Sequence, residues 1–200
     1  MPKSLLPTAG EDNEVLWKRT LAGNVSAFER LIAAQYRILF QYGLKFSEDE
    51  EFVKDKIQDL FLYVWEKRQN LKTDIPVKSY LMASLRRMMH RAHNTTLVYN
   101  PSLENHPTLF DVRFSVEKEY IRHETTRMMS QRLKTTLDKL PPRQKEVIYL
   151  KFFQELNRDQ IATVMNISPQ TVSNLLQIAM KQLRKHWKAD FLPTAPIEYN

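Results

Sequence analysis

Cysteine is absent from this chain of 200 residues, and glycine occurs only three times. Without cysteine there are no disulfides and no thiolate metal sites, a composition compatible with a reducing compartment. Scarce glycine leaves few positions for tight hairpin turns, so the expected architecture is helical. No apolar run approaches the roughly 20 residues needed to cross a bilayer, and residues 1–10 lack both a charged leader and an apolar h-region. The expectation is a cytoplasmic protein without direct membrane insertion. Also missing are a Gly-rich phosphate loop, a Ser/His/Asp arrangement and an inward pair of carboxylates. Nothing therefore points to an enzyme, a cofactor or a small-molecule substrate. His90 and His93 stand three apart, but their neighbours are cationic and no carboxylate lies close by, so a metal site is not expected.

What the chain does have is surplus positive charge. Thirty Lys and Arg against 23 Asp and Glu leave a net charge of +7, which favours a polyanionic partner. With 42% hydrophobic residues it can bury one core or two small ones.

The most informative stretch runs from Leu140 to Lys188 and reads as a helix-turn-helix at its centre. Asn157 and Gln160 have the spacing of a capping box, and Ile161, Ala162, Val164 and Met165 give the short helix that follows an apolar face. Asn166 tolerates left-handed backbone angles, so it can end that helix and let Ile167 return to the core. Ser168 then caps a second helix with Pro169 at its first position. Val172, Leu175, Leu176, Ala179 and Leu183 recur on one side of it. Gln170, Ser173, Asn174, Gln177 and Lys181 occupy the other, followed by Arg184, Lys185 and Lys188, and no carboxylate interrupts them. Amides and hydroxyls at the start of a helix can read base edges in a major groove, while cations at its end can neutralise phosphates.

Earlier in the chain, Asp12 to Ala22 reads as a first helix broken by Gly23-Asn24. Ser26 with Glu29 has the spacing of a capping box for a second helix, and Ser47 with Glu50 for a third that runs to about Arg68. Val53, Ile57, Leu60, Phe61 and Val64 form the apolar face of the third, with Asp55, Gln58, Asp59 and Leu62 on a different, mostly polar one. A polar loop from Glu66 to Val77 precedes a helix to about His93. That helix buries Leu81, Leu85, Met88 and Met89 and exposes Lys78, Arg86, Arg87, His90 and Arg91, with Tyr80 beside them. Aromatic and cationic groups on one surface suit unstacked bases and their phosphates. Residues 95–114 contain Pro101 and Pro107 yet are apolar, which suggests a linker that docks on something. A helix from about Ser115 leads to Pro141-Pro142, after which Val147, Ile148, Leu150 and Phe153 should point inward.

These residues resemble a family, the bacterial sigma factors of the extracytoplasmic-function (ECF) type. LDKLPPRQKEVIYLKFFQELNRDQIATVMNISPQTVSNLLQIAMKQLRK resembles sigma region 4, and AFERLIAAQYRIL, DKIQDLFLYVWEKR and SYLMASLRR resemble sigma region 2. The resemblance implies an all-α protein of two helical domains: region 2 over residues 10–94, a linker over 95–114, region 4 over 115–188 and a tail over 189–200. It implies core RNA polymerase and promoter DNA as partners, with an anti-sigma factor as a further class of partner. Asp55, Gln58, Asp59 and Leu62 match the face that grips polymerase. Lys67, Arg68, Asn70, Lys78, Tyr80, Arg86, Arg87, His90 and Arg91 match the surface that captures the unwound strand of the −10 element. Arg143, Ser168, Gln170, Thr171, Ser173, Asn174, Gln177 and Lys181 match the duplex-reading surface at the −35 element. The chain departs from the family in having Arg87 where Asn is frequent, and Ser173, Leu175, Ile178 and Met180 where basic residues are. Two rivals stay open at this point, a stand-alone helix-turn-helix regulator and a sigma-like decoy that does not open DNA.

Overall fold

The computed structural model describes residues 12–99 and 124–189. They are helical throughout, with no strand among the described residues, so the all-α expectation holds. Most of the linker, the helix start near Ser115 and the tail beyond Ala189 lie outside the described residues. The helices fall into two compact units divided between residues 101 and 102, and each is described by itself.

In the first unit, α1 (Asn13–Leu21) starts at Asp12, whose carboxylate accepts from the Glu14 amide. Gly23 turns the chain at φ 86°, a left-handed angle that favours glycine, and α2 (Val25–Gly43) follows. Its cap is Asn24, whose side chain accepts from the Ala27 amide at 2.9 Å, and not Ser26. The third helix differs from expectation in the same way. The cap of α3 (Glu50–Lys67) is Asp49, while the Ser47 hydroxyl accepts from the Asp49 amide one step earlier. In both cases two capping residues stand two apart, and the turn before the helix decides which of them is used.

A short 3-10 turn at Arg68–Asn70 follows α3 and leads through a loop to α4 (Val77–Tyr99), which runs past the expected end near His93. All four helices share one core. Trp17, Leu31, Tyr42, Ile57, Leu60, Leu81, Met82, Leu85 and Met89 are fully buried in it. Each such side chain contributes about 1.5–3 kcal/mol on leaving water. Gly43 is required where α2 meets α3, because a Cβ there would stand 2.5 Å from Cγ1 of Val53.

In the second unit, α5 (Glu124–Asp138) ends before Pro141, and α6 (Pro142–Ile148) continues into one π-helical turn at Tyr149–Phe153. The wider turn shifts the register of the side chains behind it, so Phe153 is 51% exposed and does not point inward as the periodicity predicts. α7 (Arg158–Met165) and α8 (Pro169–Ala189) complete the unit, with α8 packed on α5, α6 and α7. Small Ala162 and Ala179 are both buried in this packing, with Val172, Ile161, Leu150 and Val147.

Candidate nucleic-acid interface

The helix-turn-helix is built by local chemistry. Asn157 Oδ1 accepts from the Gln160 amide and Gln160 Oε1 accepts from the Asn157 amide, both at 2.9 Å, completing the capping box. Asn166 adopts φ 53°, ψ 53°, the left-handed conformation expected of it, and the Ile167 amide donates back to the Ala162 carbonyl. Ile167 itself is only half-buried. Ser168 Oγ accepts from the Thr171 amide at 3.1 Å and lies 2.8 Å from Thr171 Oγ1, so both hydroxyls serve the start of α8.

Along α8, Gln170, Asn174, Gln177, Lys181, Arg184 and Lys185 are exposed at intervals of three and four residues, which places them on one face. Gln170 Nε2 donates to Asn174 Oδ1 at 3.1 Å. Ser173 is half-buried, with Oγ donating to the Pro169 carbonyl. Arg143 is exposed at the start of α6. Ile178 is 46% exposed among these polar groups and was not foreseen as part of the face. The signal for it was present, since an isoleucine stands where the helical repeat calls for a polar residue.

In the first unit the candidate strand-binding residues divide. Tyr80, Arg87 and Arg91 follow one side of α4, where Arg87 donates to Ser84 Oγ at 2.9 Å. Burial pushes the Tyr80 hydroxyl above the ordinary tyrosine range. Arg86 and His90 lie on an adjoining side, where His90 packs edge-on against Phe46. Lys78 is half-buried at the start of α4. Lys67 and Asn70 are exposed at the end of α3, but Arg68 is held over the Trp65 ring, 4.5 Å from its centroid, and donates to the Trp65 carbonyl.

The loop between α3 and α4 is fixed from α1, by residues the sequence did not single out. Trp17 is fully buried, and its Nε1 donates to the Lys72 carbonyl at 2.9 Å. Its ring also meets Tyr80 edge-on at 5.5 Å. Lys18 pairs with Asp74 at 3.0 Å, which lowers the Asp74 carboxyl and raises the Lys18 ammonium from their ordinary values. A cleft of about 280 Å³ lies here, between Glu14, Lys18 and the loop residues Thr73 to Pro76.

On α3, Glu51, Asp55, Gln58, Asp59, Leu62 and Glu66 are all exposed and recur every three or four residues. Leu62 is 60% exposed in this acidic stripe and Tyr63 beside it 43%. Lys56 pairs with Asp59 at 2.6 Å and Lys54 with Glu51 at 2.7 Å, both exchanges within the helix. The stripe is therefore a partly neutralised acidic surface with an apolar centre.

Residues 130–183 match the family model for sigma-70, region 4, so the C-terminal helix-turn-helix is a module of that family. No curated protein sequence matches the chain significantly. Among solved structures, CnrH, determined in complex with the cytosolic domain of CnrY, shares the fold with a TM-score of 0.60 and 22% identity over 90% of this chain and 99% of its own. The sigma factor RpoE from Bartonella quintana, determined with the anti-sigma factor NepR, matches with a TM-score of 0.60 and 16% identity over 82% of this chain and 98% of its own. The chain thus has a sigma-factor fold. Among the described residues no helix is long and apolar enough to cross a membrane.

Proposed function

We propose that this chain is an alternative sigma factor of the ECF type, which binds core RNA polymerase and directs it to promoters that the two units read and help to open. The observation that carries the reading is the sigma-70 region 4 match over residues 130–183, on a chain whose sigma-factor fold extends over the N-terminal unit as well. On this reading the exposed α3 stripe of Asp55, Gln58, Asp59 and Leu62 is the polymerase contact. Its carboxylates and amide would find basic and amide partners, and Leu62 an apolar one.

Tyr80, Arg87 and Arg91, with the loop held by Trp17, would take the unwound strand of the −10 element through ring stacking and phosphate pairing. The polar face of α8 would enter the major groove at the −35 element, with Arg143 on the neighbouring backbone. The chain performs no chemistry itself. Because two proteins of this fold were solved with partners, one of them an anti-sigma factor, such a protein is a fitting further partner here.

The test is in vitro transcription with core polymerase on a library of promoter fragments. Initiation that requires the chain supports the reading. Tight dimeric binding to duplex DNA, with no effect on core polymerase, would replace it with a stand-alone regulator.

A further inference from the structure

The reading half of α8 carries no positive charge. From Pro169 to Met180 it contains no Lys or Arg, and its first cation is Lys181. A helix-turn-helix reads bases mainly with the N-terminal part of its second helix, and guanine is read chiefly by two-pronged contacts from Arg or Lys. That means of recognition is missing from these turns. What stands there is Gln170, Asn174, Gln177 and the exposed Ile178.

The bond from Gln170 Nε2 to Asn174 Oδ1 sharpens the point. It uses a donor of Gln170 and the acceptor of Asn174, so the pair retains an acceptor at Gln170 Oε1 and a donor at Asn174 Nδ2. Adenine offers the complementary set, an N6 donor beside an N7 acceptor, whereas guanine offers two acceptors and would set O6 against Oε1. Ile178 stands one turn beyond Asn174 on the same side of the helix. The only apolar feature of a major-groove edge is the thymine methyl.

We propose that α8 reads adenine–thymine pairs, with Gln170 and Asn174 on an adenine edge and Ile178 against a thymine methyl as a specificity-determining contact. Lys181, Arg184 and Lys185, further along the exposed face, then hold phosphates without reading sequence. The inference rests on the placement of α8 in a major groove argued above and adds to it which bases are read.

The experiment uses the full chain assembled with core polymerase and a duplex library randomised upstream of the start site. Enriched duplexes are then remade with uracil for thymine, one position at a time. The expected result is an upstream element of A·T pairs in which one thymine-to-uracil change weakens binding about four-fold, the factor for burying one methyl-sized group. Ile178→Ala should weaken the thymine duplex by a similar factor and bind the uracil and thymine duplexes equally. An element dominated by guanine contacts, no effect of uracil at any position, or undiminished uracil sensitivity in Ile178→Ala would each overturn the inference while leaving sigma activity standing. Absence of any sequence-selective binding would overturn the sigma reading as well.

Discussion

The indole Nε1 of Trp17 donates to the Lys72 carbonyl at 2.9 Å, joining α1 to a loop 55 residues away in sequence. Because Trp17 is fully buried, this bond fixes the entry to α4 from inside the core. Trp17→Phe keeps most of the apolar volume and removes the donor. It should cost about 1–3 kcal/mol, the penalty for a carbonyl left without its partner. Amide hydrogen exchange should rise in residues 71–76 and remain slow in the middle of α2. Unchanged exchange in that loop would show that the bond does not organise it.

Asn166 holds φ 53° between α7 and α8. Asn166→Val places a β-branched side chain in the left-handed region and should lower stability by about 1–2 kcal/mol or more. Asn166→Gly should melt within about 0.5 kcal/mol of the parent, since glycine takes this angle without steric cost. Equal destabilisation by both would mean that the Asn side chain, and not the backbone angle, sustains the turn.

Tyr149 gives a pH dependence. Burial raises its hydroxyl to about 12 from an ordinary 10, against a smaller lowering by the hydrogen bond from Gln154 Nε2 at 2.9 Å. The fold therefore favours the neutral phenol. That stabilisation is complete below about pH 10 and is lost as pH rises from there to about 12. Ultraviolet titration should show one phenolate appearing about two units above the ordinary tyrosines, together with alkaline loosening of the C-terminal unit. Tyr149→Phe should remove that late phenolate.

On α4 the division of cations separates two variants. Arg91 is exposed on the side of Tyr80 and Arg87, whereas Arg86 is half-buried on the adjoining one. Arg91→Ala should reduce open-complex formation on intact promoters and on pre-melted templates alike, because the lost contact is to the single strand itself. Arg86→Ala should reduce both less. The reverse order would place the strand on the side of His90.

The features legible in the sequence were those settled within one turn of chain. The Asn157–Gln160 box, the left-handed Asn166, the Ser168 cap and the buried run from Val53 to Val64 each depend on residues three or four apart, a range where spacing determines geometry. Adjacent alternatives were misread, as with Asn24 against Ser26 and Asp49 against Ser47, because both residues of each pair can cap and the turn before the helix chooses. The π-helical turn that exposes Phe153 has no marker in the run from Tyr149. Trp17 and Lys72 were invisible as a pair because only packing of the whole N-terminal unit brings them together.

The measurement closest to the central claim is binding of the full chain to core RNA polymerase, with a variant in which Asp55, Gln58, Asp59 and Leu62 are all changed to Ala. These side chains are exposed, so the variant should keep its helical circular dichroism and melt within about 1 kcal/mol of the parent, each exposed change falling within about 0.5 kcal/mol and Ala favouring the helix. Loss of contacts desolvated against polymerase, at about 2 kcal/mol or more for a charged pair, should then abolish measurable complex at micromolar concentrations. The account predicts one chain per polymerase for the parent and none for the folded variant. A folded variant that binds polymerase as tightly as the parent, or a parent that does not bind it at all, would contradict it.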